Sequence, residues 1–119
     1  MPAVAVIGAS RERHKYGNRA VRAYLRQGWT VYPINPTEPE VEGLATFASV
    51  TDVPGTIDRA SLYVPAAIGI TLLGGIKQKQ IAEVWVNPGA ESDELIAEAE
   101  RLGLHTIQAC SIVDIGERP

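Results

Sequence analysis

Gly8, Ala9 and Ser10 end an apolar run, AVAVI, and Arg11, Arg13, His14 and Lys15 follow at once. A buried strand that breaks at a glycine and leads into a helix aims backbone N–H groups and the helix dipole at one spot. That spot attracts an anion. The cationic residues beside it suit an anion of several charges, with Arg11, Arg13 and Lys15 as candidate partners of phosphates. Ser10 serves the turn as a cap and can bind phosphate as well. It is not expected to be a nucleophile, because the G-x-S-x-G elbow is absent. Tyr16 adjoins Gly17 and can stack on a ligand or hydrogen-bond to it.

The remaining reactive side chains form no constellation. His14 and His105 lie far apart and have no metal-ligand spacing to Cys110, so no metal is expected. His14 reads as an exposed loop residue and His105 as a surface or partly buried one. No acid–base pair stands out, and no catalytic residue is assigned.

These residues need a scaffold, and the pattern supplies strands alternating with helices. Ala3 to Ile7 is apolar enough to be a strand buried on both faces. A helix is expected over Asn18 to Gln27, with Val21, Tyr24 and Leu25 sharing its inner face and Gly28 stopping it. Thr30 to Ile34 is the second strand, closed by Asn35-Pro36. Thr37 to Thr56 is loop-rich, with a short edge strand expected at Leu44 to Ala48. Ala60 to Val64 is the next strand, ended by Pro65. Ile68, Leu72 and Ile76 mark a helical stripe; Gly69, Gly74 and Gly75 in the same helix mean either a weak helix or a close neighbour or ligand. Glu83 to Val86 is a strand ending in Asn87-Pro88-Gly89. Ser92 caps a helix whose Leu95, Ala99 and Leu102 face inward. Leu104 to Ile107 is the last strand. Trp29, Trp85, Tyr32 and Tyr63 read as sheet-packing residues.

Strands joined by crossover helices are parallel neighbours. Right-handed crossovers make the fold α/β: a doubly wound, mainly parallel, five- to six-stranded Rossmann-like sheet with helices on both faces. Residues 1–119 form one domain. In such sheets ligands sit beyond the carboxyl ends of the strands, near the switch point. The rim there consists of Gly8, Ala9 and Ser10, then Asn35 and Pro36, then Pro65 to Ala67, then Asn87 to Gly89. These residues are small or uncharged and suit a flat organic group joined to phosphate.

Composition narrows the partners. Net charge is −3, which speaks against nucleic acid. Six of the eleven Lys and Arg lie between Arg11 and Arg26, which fits a local anion site. No long apolar run predicts a membrane span and no signal peptide is seen. With the single cysteine, this points to the cytoplasm. A dinucleotide is the first ligand to consider. The G-x-G-x-x-G fingerprint is absent, and Asn35 stands where an acidic residue would grip the ribose of NAD. NADP stays open, since the Arg11 to Lys15 cluster suits a 2′-phosphate.

The sequence also resembles a family. It is similar to the small stand-alone CoA-binding proteins, whose fold matches the CoA-binding domain of the succinyl-CoA synthetase α subunit. The residues that carry the likeness are VIGAS at Val6 to Ser10, Tyr16-Gly17, GWTVYPINP at Gly28 to Pro36 and Glu42-Gly43. Val64-Pro65, VWVNPGAES at Val84 to Ser92 and Cys110 continue it. The resemblance implies a Rossmann-like domain that binds coenzyme A or an acyl-CoA through its ADP part. Gly8, Ala9 and Ser10 would hold the pyrophosphate, and Arg11, Arg13 or Lys15 would pair with phosphates. Asn35-Pro36 and Val64-Pro65 would wall the nucleotide, with Ile68 against adenine. Members often have prolines and a serine where this chain has RERHK. They usually begin with a helix before the first strand, so the edge or subunit contact at that strand is expected to differ here.

Cys110 then has two readings: a small buried hydrophobe, or a thiol that forms a mixed disulfide with the CoA sulfhydryl. The function expected is non-catalytic binding of CoA. The alternatives are an NADP-dependent oxidoreductase fragment and a regulatory interaction domain gated by CoA occupancy. An edge strand and the glycine-rich helix allow a homodimer. A Gly8→Val change is expected to block the pyrophosphate while leaving the fold largely intact.

Overall fold

An AVAVI run has no polar side chain to offer water, so it must be covered on both faces. A computed structural model, which describes residues 1–119, places it at the second position of a sheet. β1 (Ala3–Ile7) lies between β2 (Thr30–Ile34) and β5 (Arg59–Leu62), and all its residues are buried. β6 (Glu83–Val86) and β7 (His105–Ile107) extend the sheet beyond β5. The order β2-β1-β5-β6-β7 is parallel throughout. The chain winds outward from β1 in both directions, so the switch point falls between β1 and β5. β1 is therefore an interior strand, and the edges are β2 and the short β7. Pro33 sits on the edge strand β2, where its missing N–H costs no ladder bond.

Helices cover both faces. Val4 and Val6 pack with Ala20, Val21 and Tyr24 of α1 (Tyr16–Arg26) and with Ile112 of α4 (Ser111–Asp114). Ala5 and Ile7 point the other way, toward α2 (Ala66–Gln78) and α3 (Asp93–Arg101), where Leu73, Ile76, Leu95 and Ala99 are fully buried. This alternation is the two-residue period of a strand with both faces covered. The fold is the expected Rossmann-like one, with five strands in the main sheet. No helix is long and apolar enough to cross a membrane.

Several boundaries differ from the sequence reading. α1 starts at Tyr16, because a turn from Glu12 to Lys15 delivers Lys15 as its N-cap. Leu25 is exposed, one residue around the helix from the buried Tyr24. The strand expected at Leu44 to Ala48 is only β4 (Leu44–Ala45), paired antiparallel with β3 (Glu40–Val41). Phe47 instead makes a single parallel bridge to Ile34. Val64 lies beyond β5, and Leu104 before β7.

The stripe of α2 also divides. Ile76 is in the core and Leu72 is half-buried, but Ile68 is 51% exposed. The face turned to the core is Gly69, Leu73 and Ile76. At Gly69 a β-carbon would lie 3.0 Å from Leu95 Cδ1, so this glycine lets α3 pack closely. Gly74 faces open space.

One comparison tests this assignment. Leu73→Ala should cost about 2–5 kcal/mol by urea unfolding. Ile68→Ala, at an exposed position, should stay within about 0.5 kcal/mol. Equal losses at the two positions would put the core on the wrong face of α2.

Candidate functional site

The β1–α1 turn is held from three sides. Gly8 has φ +93°, and a β-carbon there would lie 2.7 Å from the Tyr63 carbonyl oxygen. A β-carbon at Gly17 would overlap the Gly8 carbonyl oxygen. Asn18, fully buried, donates from Nδ2 to the Ser10 carbonyl at 2.8 Å. Asn35 donates to the Ala9 carbonyl at 2.8 Å, while its Oδ1 accepts from the N–H groups of Thr37 and Glu38. Asn35 thus ties the end of β2 to the turn after β1. These constraints put α1 directly over the end of β1.

Two cavities open on either side of the turn and meet at Gly8 and Val64, which line both. The larger is about 910 Å³ and contains Lys15, Tyr16, Pro65, Asn87 to Ala90 and Cys110 on its walls. The smaller is about 480 Å³ and is walled by Asn35, Pro36, Ile68 and Leu72, with Ser49, Thr51, Thr71 and Gln78 supplying polar groups. Together they form a two-lobed cleft across the switch point, the place where open parallel sheets hold ligands.

The helix ends around this cleft are unequal. α1 and α2 have no side-chain cap and no acid in the first turn. The N–H groups of Tyr16 and Gly17 donate to no protein atom. α3 is capped by Ser92, which accepts from Leu95 N–H at 3.0 Å, and starts with Asp93 and Glu94. The two ends left open to an anion are therefore those that flank the switch point.

The expected site residues fall into three groups. Gly8, Lys15, Tyr16, Val64 and Pro65 meet at the larger lobe, and Gly8, Asn35, Pro36, Val64 and Ile68 at the smaller. The side chains of Ala9 and Ser10 are buried beneath the turn, and the Ser10 hydroxyl accepts from Glu12 N–H at 3.1 Å. Arg11 and Arg13 are exposed and line neither lobe.

The cationic cluster is also less free than its sequence suggests. Glu12 pairs with Lys15 at 2.6 Å and Glu42 with Arg13 at 3.4 Å, while Glu38 accepts from the backbone N–H of Arg11 at 2.8 Å. The hydrogen bond from Lys15 holds the Glu12 carboxyl below its ordinary range and the Lys15 ammonium above. Such exposed pairs are weak and exchange readily for a stronger anion.

Beneath the larger lobe lies a polar network that the sequence did not reveal. Asn87, 3% exposed, donates to Ser61 Oγ at 2.9 Å and to the Leu62 carbonyl at 2.8 Å, and accepts from Ser111 N–H at 2.9 Å. The hydroxyls of Ser61 and Ser111 are 2.7 Å apart, and Tyr63 Oη is 3.2 Å from Ser111 Oγ. No buried side-chain polar atom lacks a partner. The network seats α4 on the sheet, and thereby puts Cys110, which is half-buried, on the lobe wall. In the sequence Asn87 marks a strand end on the rim but not this network, and the two serines give no periodic signal.

Burial pushes the Tyr63 phenol up to about 12. Below its ordinary value of about 10 the phenol is neutral in both folded and unfolded chains. As pH rises toward the folded value, the unfolded chain loses its proton first, and stability falls. Tyr63→Phe should therefore flatten the loss of stability between about pH 10 and pH 12, measured by urea unfolding across that window. Gly8→Val should destabilise the fold by at least about 1–3 kcal/mol, since the backbone there is left-handed and closed in. This corrects the expectation that the change spares the fold: the space beside Gly8 is taken by the Tyr63 backbone.

Comparison with known proteins places these features in a family. The ADP-forming acetate–CoA ligase II of Archaeoglobus fulgidus is 37% identical over 102 residues, covering 82% of this chain and 15% of the ligase. The ligase I of the same organism is 30% identical over 120 residues, covering 87% of this chain and 17% of the ligase. The chain thus spans under a fifth of the length of these relatives. Among solved structures, a conserved hypothetical protein of Pyrococcus furiosus superimposes with a TM-score of 0.88 at 31% identity, covering 96% of this chain and 99% of that one. The dinucleotide-forming acetyl-coenzyme A synthetase 1 of Candidatus Korarchaeum cryptofilum, solved with phosphate and ADP, gives 0.79 at 31% identity over 90% of this chain and 25% of its own. The profile of the CoA-binding domain covers residues 2–116, nearly the whole chain, and the chain belongs to that family.

Proposed function

We propose that this chain binds coenzyme A or an acyl-CoA and contributes no covalent chemistry to it. The observation that carries the reading is the two-lobed cleft, whose lobes join at Gly8 and Val64 between two uncapped helix ends. A ligand with a flat base at one end, a flexible arm at the other and a pyrophosphate between them matches that shape.

In this reading adenine enters the smaller lobe, against Ile68 and between Asn35-Pro36 and Val64. The half-exposed Ile68 is a surface that an aromatic base would cover. The hydroxyls of Ser49, Thr51 and Thr71 sit at the polar side of that lobe. The pyrophosphate lies over Gly8, Ala9 and Ser10, where backbone approach is close and the N–H groups of α1 are free. Val64 and Pro65 separate the two lobes. The pantetheine arm runs past Tyr16 and Pro65 into the larger lobe, toward Cys110. Lys15 pairs with a phosphate by leaving Glu12, and Arg11 and Arg13 reach the 3′-phosphate from outside the lobes.

Asn35 also bears on the competing dinucleotide. Its side chain is committed to the Ala9 carbonyl and to the turn that follows β2. An amide, it has no carboxylate for a ribose diol, and its polar atoms are already engaged.

Titration calorimetry with CoA, dephospho-CoA, NADP⁺ and NAD⁺ tests the reading. CoA should bind with a Kd on the order of micromolar, and the dinucleotides at least about tenfold more weakly. Tighter binding of NADP⁺ than of CoA would overturn it in favour of a reductase fragment. Neutralising Arg11 and Arg13 together should weaken CoA by about tenfold and dephospho-CoA by less, as expected for two charge-assisted contacts to one phosphate. Equal losses for both ligands would move the two arginines away from the 3′-phosphate.

A further inference from the structure

The larger lobe is bigger than its neighbour by almost a factor of two, at about 910 Å³ against 480 Å³. That volume lies near the upper end for a site that holds a whole small molecule, whereas a pantetheine arm is a thin chain. Its wall carries no acidic side chain. Tyr63 and Val64 supply apolar surface on the sheet side, where the buried Leu62 and Ala90 also border the lobe, and Val113 of α4 supplies it on the other.

The exposed apolar residues are placed in keeping with this. Only five large hydrophobic side chains are exposed on the whole chain, and Tyr16 and Val113 of the larger lobe are two of them, at 57% and 58%. Ile68, a third, belongs to the smaller lobe. Scattered exposed apolar residues need no explanation, but a majority gathered along one cleft marks a surface that a ligand covers. The polar groups of the larger lobe are also mostly occupied. The Asn87 amide is spent on Ser61, Leu62 and Ser111, and the Tyr63 hydroxyl lies against Ser111. The Lys15 ammonium, paired with Glu12 in the free protein, goes to a phosphate in the CoA reading, and His14 also lines the lobe.

We infer that the larger lobe takes the acyl group of an acyl-CoA thioester and favours uncharged, apolar acyl chains over both free CoA and dicarboxylic ones. The inference rests on the CoA reading above and specifies the ligand class of that site. The acyl chain lies beyond the thiol end of the pantetheine arm, with Val113 and Ala90 on either side. In the CoA reading the α1 N–H groups and Lys15 go to the phosphates, so a terminal carboxylate between Val113 and Ala90 would lose water with only His14 among the basic side chains of the lobe left to meet it, which is costly.

Calorimetry on the full chain with CoA and its acetyl, butyryl, hexanoyl and succinyl thioesters tests this. Affinity should rise from acetyl to hexanoyl by up to about fourfold per added methylene, the value of burying that group. Butyryl-CoA should bind about tenfold more tightly than succinyl-CoA, which has the same number of carbons plus a charge. Val113→Asp, an exposed position, should bring the hexanoyl-to-CoA affinity ratio close to one. Because the readout is a ratio, a general loss of binding does not imitate the effect. A flat series, or succinyl-CoA bound as tightly as butyryl-CoA, overturns the acyl assignment while CoA binding stands. Absence of CoA binding overturns both readings.

Discussion

The carbonyl of Gly8 and the Cα of Gly17 approach so closely that no side chain fits between them. This contact is what the cleft is built on. It presses the first turn of α1 onto the end of β1, so that the N–H groups of Tyr16 and Gly17 stand over the turn instead of being folded into a capping loop. The left-handed backbone at Gly8 makes the same approach possible from the other side, against Tyr63. A larger residue at either glycine would push α1 away from the sheet and merge or close the two lobes. Asn18, fully buried, and Asn35, half-buried, hold the resulting turn with their amides, and at Asn18 an unmet hydrogen bond would be expensive.

A second set of contacts holds the far wall. Asn87, Ser61, Ser111 and Tyr63 form a satisfied network between two strands and α4. Such networks are costly when half-made and specific when complete. Here the consequence is positional. A four-residue helix has little stability of its own, and this network, together with buried Ile112, decides where it sits. Arg59 supports it from the amino-end side, stacked between Trp29 and Trp85 at 4.9 and 4.6 Å and bonded to Asp114 at 3.0 Å. The tryptophans expected to pack the sheet thus also clamp an arginine that reaches α4.

Electrostatics is arranged by contrast more than by net charge. The chain is acidic overall, yet the ends of α1 and α2 at the cleft carry no carboxylate in their first turns. Asp93 and Glu94 instead sit in the first turn of α3, and Glu12 and Glu42 pair with cations of the β1–α1 loop. An arriving anion therefore meets two open helix ends and cations held only by weak, exposed pairs.

The sequence by itself determined the strands and their class. A doubly apolar AVAVI, the glycine after it, Asn35-Pro36 and Asn87-Pro88 mark where strands end, because these features are local and act within a few residues. From them followed the parallel sheet and a rim with Gly8, Asn35, Pro36 and Pro65, to which the family resemblance added Val64 and Ile68. The tertiary structure decided what depends on partners distant in the chain. It turned Ile68 out of the core and into the smaller lobe, since α2 buries the face with the smallest residue, Gly69, against α3. It tied the Arg11 backbone N–H to Glu38 and paired the Arg13 guanidinium with Glu42, both more than twenty residues away. It also brought Ser49, Thr51 and Ser111 to the cleft and its floor, although nothing in their own neighbourhoods marks them. Periodicity reports which residues avoid water, but hydrogen bonds and ion pairs across a sheet are set by topology, and topology is a property of the whole chain.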